Sequence, residues 1–390
     1  MRKLIAFLLA AGLVFVFSAP APAADKTVEE RLKALEDTIG TWTFYGSARM
    51  ATFYEKANSD LINDQLLDAE TDLSYPDEKT TRWGLAGNSR IGAKVIKGNF
   101  GGRFEIGFKE GQALGVRLLY GTYTFNDVTI LWGQDYTPLD DWDYSNQVFA
   151  WDNDLAGWGV LDESVNGPRV PQVKIIYKGF QLALVENAGL PVGGLTADDV
   201  KTEIVLPHLE ARYTLTLNDK FTGDIFGGAN TYKVKSESLK IDKSISSYAL
   251  GVGGKCTLDP VFVNAMLWYA ENGRNLGLHQ ADAAGAIIDP TTGDITKDKD
   301  FGGALIIGAN IQKVTVEAGY GYVRSKNDAA GSDKNDAQNY YLQAVIPVAA
   351  ANGAKLSITP EIGVYDYKKD ATGVAEGKAT YAGAKWQLDF

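Results

Sequence analysis

The sequence predicts an all-β protein: a transmembrane antiparallel β-barrel of about sixteen strands, preceded by one short helix. Three observations lead there. Segments of about 9 to 11 residues alternate apolar with polar side chains, the length a tilted strand needs to cross a bilayer. The stretch Thr380 to Phe390 puts Thr380, Ala382, Ala384, Trp386, Leu388 and Phe390 on one face, and Tyr381, Gly383, Lys385, Gln387 and Asp389 on the other. Finally, 42 Gly, 19 Tyr, 16 Phe and 8 Trp suit many short strands with aromatic anchors better than a helical enzyme.

Residues 1–23 read as a secretory signal peptide. Met1-Arg-Lys3 is a basic head, Leu4 to Phe17 is apolar, and Ala21-Pro-Ala23 gives small residues at a cleavage site. The apolar run is too short for a retained spanning helix, and no Cys stands there to take a lipid. Arg2 and Lys3 are the leader's two charges, so its loss takes the net charge of −11 down by two, to −13. An acidic chain argues against nucleic acid as a partner. The single cysteine, Cys256, excludes an internal disulfide.

Residues 24–40 hold the predicted helix. Thr27 and Glu30 have capping-box spacing, and Val28, Leu32, Leu35 and Ile39 form a short heptad stripe. Such a helix either lies against or plugs a barrel mouth, or associates with copies of itself, being too short to hold a coiled coil alone.

The barrel is assigned to residues 41–390. In His208 to Leu217 the outward set is Leu209, Ala211, Tyr213, Leu215 and Leu217, with Glu210, Arg212, Thr214 and Thr216 inward. The same phase puts Trp42, Phe44, Ala48 and Met50 outward with Ser47 and Arg49 inward, and Phe100, Phe104, Ile106 and Phe108 outward with Arg103 and Glu105 inward. Seven tight turns, near Gly98, Asn126, Gly179, Asp219, Asp259, Gln312 and Asn352, alternate with eight other links. Counts of fourteen or eighteen strands are the alternatives. A closed barrel then needs its last strand to pair with its first. Pro360 falls inside a predicted strand, where it removes a ladder donor and predicts a bulge. Cys256 falls on the outward face with Leu250, Val252 and Leu258.

The link near 135–169 stands apart. It carries Asp135, Asp140, Asp141, Asp143, Asp152, Asp154, Asp162 and Glu163 with no Lys or Arg before Arg169, and it is rich in aromatics, among them Tyr136, Trp142, Tyr144, Phe149, Trp151 and Trp158. Burial of large apolar side chains is worth about 1.5 to 3 kcal/mol each, so these aromatics predict a loop held against something. Arg49, Arg90, Lys94, Arg103 and Arg117 are placed inward by strand phase. An acidic loop folded into the lumen opposite that basic wall would narrow the channel. Two alternatives stand beside it: an external loop that is solvated or binds divalent cations with lipopolysaccharide, and arginines that only solvate the lumen.

Enzymatic chemistry finds little footing. The two histidines, His208 and His279, have no Ser or Asp at a telling spacing, and His and Cys supply no metal site. No cofactor is expected.

The C-terminal strand with Trp386, Leu388 and Phe390, together with Tyr45-Gly-Ser-Ala-Arg49 and Gly133 to Pro138, resembles the general porins of Gram-negative outer membranes, which are trimeric 16-stranded barrels. The resemblance implies outer-membrane location, a helix on the periplasmic side, contact with lipid and lipopolysaccharide, a homotrimer, and passive diffusion of small hydrophilic solutes and ions. It also implies that the final strand is the segment recognised during barrel assembly. A weak cation preference follows if the acidic loop folds inward. The alternatives within this frame are a substrate-selective porin for a sugar or anion, and a non-channel barrel such as an adhesin or structural protein.

Overall fold

The computed structural model describes residues 27–57, 79–86, 88–108, 114–139, 144–149, 169–187, 192–195, 198–278, 285–375 and 377–390. The leader, His279 and most of the acidic link lie outside these residues. The chain begins in helix α1, Val28–Ile39. Its capping box is complete: the Thr27 hydroxyl accepts from the Glu30 amide at 3.2 Å, and the Glu30 carboxylate accepts from the Thr27 amide at 2.9 Å. None of its residues is buried, so α1 neither plugs the barrel nor lies on it. Its ties to the barrel are at its last turn, where Lys97 Nζ donates to the Thr38 carbonyl at 2.6 Å and Trp42 Nε1 to the Ile39 carbonyl at 2.9 Å.

Eighteen strand segments form one sheet, and because two strands are each broken once they make sixteen strands. They are β1 (Thr41–Ala57), β2 (Lys79–Leu85 and Arg90–Lys97), β3 (Phe100–Phe108), β4 (Leu114–Phe125), β5 (Val128–Tyr136), β6 (Arg169–Tyr177), β7 (Phe180–Val185) and β8 (Lys201–Glu203 and His208–Asn218). After them come β9 (Phe221–Ser236), β10 (Ile241–Leu258), β11 (Val261–Glu271), β12 (Asp298–Ile311), β13 (Val314–Asn327), β14 (Asn335–Ala351), β15 (Ala354–Lys369) and β16 (Gly377–Asp389). Every neighbour pair is antiparallel, and β16 returns to β1 in register from Ser47↔Asp389 to Ala57↔Ala379. Gly46 and Phe390 extend that seam by two backbone hydrogen bonds of 2.8 and 3.0 Å. A Cβ on Gly46 would sit 2.5 Å from the Phe390 ring, so any larger residue there requires the ring to shift. Closure leaves no edge, the condition for a sheet that crosses a bilayer. No helix among the described residues is long and apolar enough to cross one, which says nothing about crossing by strands.

The predicted alternation holds along the strands. Trp386, Leu388 and Phe390 are outward and solvent-exposed in the isolated chain, as are Phe44, Leu209, Leu250 and Ile307. Glu105, Arg117, Glu210, Arg212, Asp224, Glu317 and Glu361 face the lumen and are buried there. Cys256 is outward and half-buried. His208 faces inward and is buried.

Among the departures from a regular ladder are those in β2 and β15. In β2 the break at residues 86–89 is bridged by Ser89, whose hydroxyl accepts from the Arg49 amide and donates to the Arg49 carbonyl, both at 2.9 Å. In β15, Pro360 keeps its place opposite Ala384 of β16, while the ladder to β14 has no partner for Thr359 or Pro360. The predicted bulge lies on β14 instead, between Pro347 and Ala349. A missing proline N–H is thereby matched by a locally opened ladder.

At the end opposite the tight turns, the β7–β8 and β11–β12 connections fold together over the extended β9–β10 hairpin. Val192, Ala286 and Ile288 pack on Tyr232, Val234, Ile241 and Ile245. Gly193 exchanges backbone hydrogen bonds of 3.0 Å with Ala286 and Ile288.

Candidate functional site: a basic wall and an inward-folded connection

The link after β5 turns into the lumen. Asp135 is not part of it: it belongs to β5 and pairs with Lys174 of β6 at 2.8 Å. From Thr137 on, the described parts of the link follow the inner wall round the barrel. The Leu139 amide donates to Glu210 of β8 at 3.2 Å, and the Tyr144 hydroxyl to Asp224 of β9 at 2.5 Å. Asn264 of β11 donates to the Tyr144 carbonyl at 2.7 Å. Asn146 donates through its amide and its side chain to Glu317 of β13, at 2.9 and 2.6 Å. The amides of Val148 and Phe149 donate to the two oxygens of Glu361 on β15, at 2.7 and 3.2 Å. Phe149 stacks on Tyr381 of β16, with centroids 3.7 Å apart, and meets Phe53 of β1 edge-on at 5.2 Å. The predicted packing of the loop aromatics therefore holds for Tyr144 and Phe149, both buried. Trp142, Trp151, Trp158 and the acids Asp140, Asp141, Asp143, Asp152, Asp154, Asp162 and Glu163 lie outside the described residues.

Inward-facing acids on alternate strand positions thus give the connection its seats. A carboxylate held in place accepts backbone N–H groups more strongly than a neutral oxygen does. Strand phase marks Glu210, Asp224, Glu317 and Glu361 as inward, but no pattern in the sequence says that a distant loop donates to them.

The described residues of the link, 137–139 and 144–149, reach β1 through Phe149 at Phe53, and the five predicted basic residues come together on the inner wall of β1 to β4. Glu105 of β3 sits among three guanidinium groups: Arg117 Nε at 2.7 Å, Arg103 Nη2 at 3.0 Å and Arg90 Nη1 at 3.5 Å. Tyr45 of β1 donates to Glu105 at 2.9 Å and accepts from Arg103 Nε at 2.7 Å. Lys94 lies 5.9 Å from the centre of the Tyr45 ring, and Arg103 lies 5.2 Å from it. Arg49 donates to Ser47 at 2.9 Å.

Local irregularities set this cluster. The β3–β4 register slips between Glu105 and Ile106, pairing them with Leu118 and Val116 and leaving Arg117 as the extra residue, re-aimed at the lumen. Gly107 leaves room for it, since a Cβ there would lie 2.4 Å from Arg117 Cδ. The Arg117 head also reaches Tyr136 at 3.2 Å, at the root of the inward connection. Arg90, Arg103, Arg49 and Glu105 open onto a recess of about 410 Å³ near the turn end, which Lys355 and Asp389 also line.

Three other basic residues of the inner wall each meet one acid. Lys174 meets Asp135 at 2.8 Å, Arg212 meets Asp224 at 3.1 Å, and Arg82 meets Glu55 at 3.6 Å. Among the described residues, Glu105 is the acid that faces three arginines. The sequence placed Glu105 inward but gave it no part in the site, marked Tyr45 only through the resemblance, and did not single out Lys174. Among the described residues no His, Cys, Asp and Glu cluster could hold a metal ion.

No protein-family model and no curated protein sequence matches the chain. Solved structures do resemble it. The outer membrane channel DcaP of Acinetobacter baumannii superposes with a TM-score of 0.66 at 18% identity, over 90% of this chain and 97% of that one. An anion-selective porin from Comamonas acidovorans gives a TM-score of 0.57 at 12% identity, over 90% and 99%. Salmonella typhi OmpF in complex with daunomycin gives 0.53 at 11%, over 89% and 97%. At these identities the likeness is one of fold: the chain is a closed, 16-stranded antiparallel barrel of the outer-membrane porin type.

Proposed function

We propose that this protein sits in a Gram-negative outer membrane as a homotrimer and forms a water-filled channel for passive diffusion of small hydrophilic solutes and ions. It is a channel and not an enzyme. The observation that carries this reading is the described part of the link between β5 and β6, residues 137–139 and 144–149, which folds inward along one side of the lumen, while the basic residues of β1 to β4 also face the lumen. A loop that narrows without filling gives a sieve. The exposed apolar belt fits lipid, and lipopolysaccharide would meet its outer leaflet.

The sign of ion preference is the finer question. The weak cation preference expected from the sequence rests on Asp140, Asp141, Asp143, Asp152, Asp154, Asp162 and Glu163, which lie outside the described residues. On the wall from β1 to β6 the described charges are Arg49, Arg90, Lys94, Arg103 and Arg117 against Glu105, beside the pairs Arg82 with Glu55 and Lys174 with Asp135, and Arg169 at Tyr136. Rings of like charge in a low-dielectric pore concentrate the opposite ion. These charges support a channel that prefers anions.

Planar-bilayer recording tests both levels. Steady ohmic steps support the channel, whereas a barrel acting as an adhesin, enzyme or structural protein gives no stable conductance. In a KCl gradient the reversal potential should take the sign of chloride selectivity, and the preference should shrink as the Debye length falls from about 10 Å at 0.1 M to about 3 Å at 1 M salt. A potassium-selective reversal potential would return the loop acids to control of the pore.

A further inference from the structure

Glu105 is 1% exposed and lies behind the guanidinium groups of Arg90 and Arg103, which are 24% and 26% exposed towards the lumen. An anion in the recess therefore meets the arginines first. Behind them, Glu105 binds Arg117, Arg103 and Arg90 at 2.7, 3.0 and 3.5 Å, fixes Tyr45 at 2.9 Å, and cancels one of three positive charges. A conducting site has to attract an ion and also release it. Three unopposed arginines would attract and hold.

From this arrangement we propose that Glu105 is the resident counter-ion that sets how tightly the basic wall holds a small oxyanion, carboxylate or phosphate, so that such solutes pass without being trapped. The role is a positioning one. Glu105 does not touch the solute; it acts through the charge and orientation of Arg90 and Arg103. This rests on the anion-preferring reading of the channel.

The probe is inorganic phosphate, which at pH 7.5 is mostly a dianion, added to one side of a bilayer holding the full-length protein in dilute KCl. Half-blocking concentrations are compared for wild type, Glu105→Gln, Glu105→Asp, Arg117→Gln and the double variant Glu105→Gln with Arg117→Gln. A unit charge about 4 Å away is worth about 1 kcal/mol in water and more where water is excluded. Glu105→Gln is therefore expected to bind phosphate at least about fivefold more tightly, with longer blocked times. Arg117→Gln should weaken block by a similar factor. The double variant restores the wild-type balance, two arginines without the acid in place of three with it, and should block within about twofold of wild type. Glu105→Asp should do the same. A role confined to holding the barrel together predicts no such ordering.

Block unchanged or weakened in Glu105→Gln overturns the inference. If that variant fails to fold, Arg117→Gln and the double variant still decide: equal block in both means that Glu105 does not set the affinity. Failure of the underlying reading looks different. Wild type would then show a potassium-selective reversal potential and no phosphate block, whatever the variants do.

Discussion

At the residue scale, side chains far apart in sequence are joined by complementary donors and acceptors. Glu361 receives the amides of Val148 and Phe149 on its two oxygens, with the Tyr381 hydroxyl as a third donor at 2.8 Å. Gln in its place offers one oxygen and one NH₂, so one loop amide would face another donor. An unmet buried donor costs about 1 to 3 kcal/mol. Glu361→Gln should therefore loosen the inward connection and give larger, noisier single-channel conductance with the barrel intact; conductance identical to wild type would show that the connection is held by its other seats. Asp199 makes a comparable tie outside the membrane-spanning part. Hydrogen bonds from the Ser238 amide first, then from the Ser236 and Ser238 hydroxyls, lower its pKa from the usual 3.8 to about 2. A lowered carboxylate pKa stabilises the fold fully above the unfolded value and loses that contribution as pH falls through the folded one. The tie should open between about pH 4 and about pH 2, read as faster amide exchange at Ser238 relative to neighbouring strand amides. In Asp199→Asn that pH dependence should disappear.

At the element scale, helix α1 is well started and poorly housed. Its capping box closes the first turn, yet Val28, Leu32, Leu35 and Ile39 are 74%, 54%, 52% and 48% exposed. Burying such side chains is worth about 1.5 to 3 kcal/mol each, and an isolated helix this short is marginal in water. Association of three copies through the stripe is the arrangement we favour. Replacing Leu32 and Leu35 with Asn should then lower the temperature at which the unboiled trimer dissociates on electrophoresis, while the barrel keeps its heat-dependent mobility. An unchanged dissociation temperature would assign trimer stability to the barrel walls. This helix was legible along the chain, because capping and heptad spacing are local. The sequence left open whether the helix plugs the barrel, because that depends on where the last turn is anchored, here on Lys97 and Trp42.

For the whole molecule, closure is the governing fact. The seam between β1 and β16 runs over eleven residue pairs, so its failure should cost the entire sheet and not one strand. Gly46→Val, which forces a side chain into the Phe390 ring, should slow refolding from urea into detergent micelles, followed as the gain of β circular dichroism; refolding at the wild-type rate would show that the ring simply moves aside. The sequence alone pointed to about sixteen strands, with fourteen and eighteen left open, and determined the seven tight turns, the outward and inward faces, and the pairing of last strand with first. These follow from a period of two, turn residues and the demand that no edge remain in lipid, all readable along the chain. It also put five basic residues on one wall, because neighbouring strands in an up-and-down barrel are neighbours in sequence. Only the tertiary structure decided which residues seat the inward connection, that Asp135 belongs to β5, and that Glu105 faces three arginines. Those contacts join residues as far apart as Val148 and Glu361, or depend on a one-residue slip that re-aims Arg117. Strand periodicity fixes which way a side chain points, but not what it meets across the lumen.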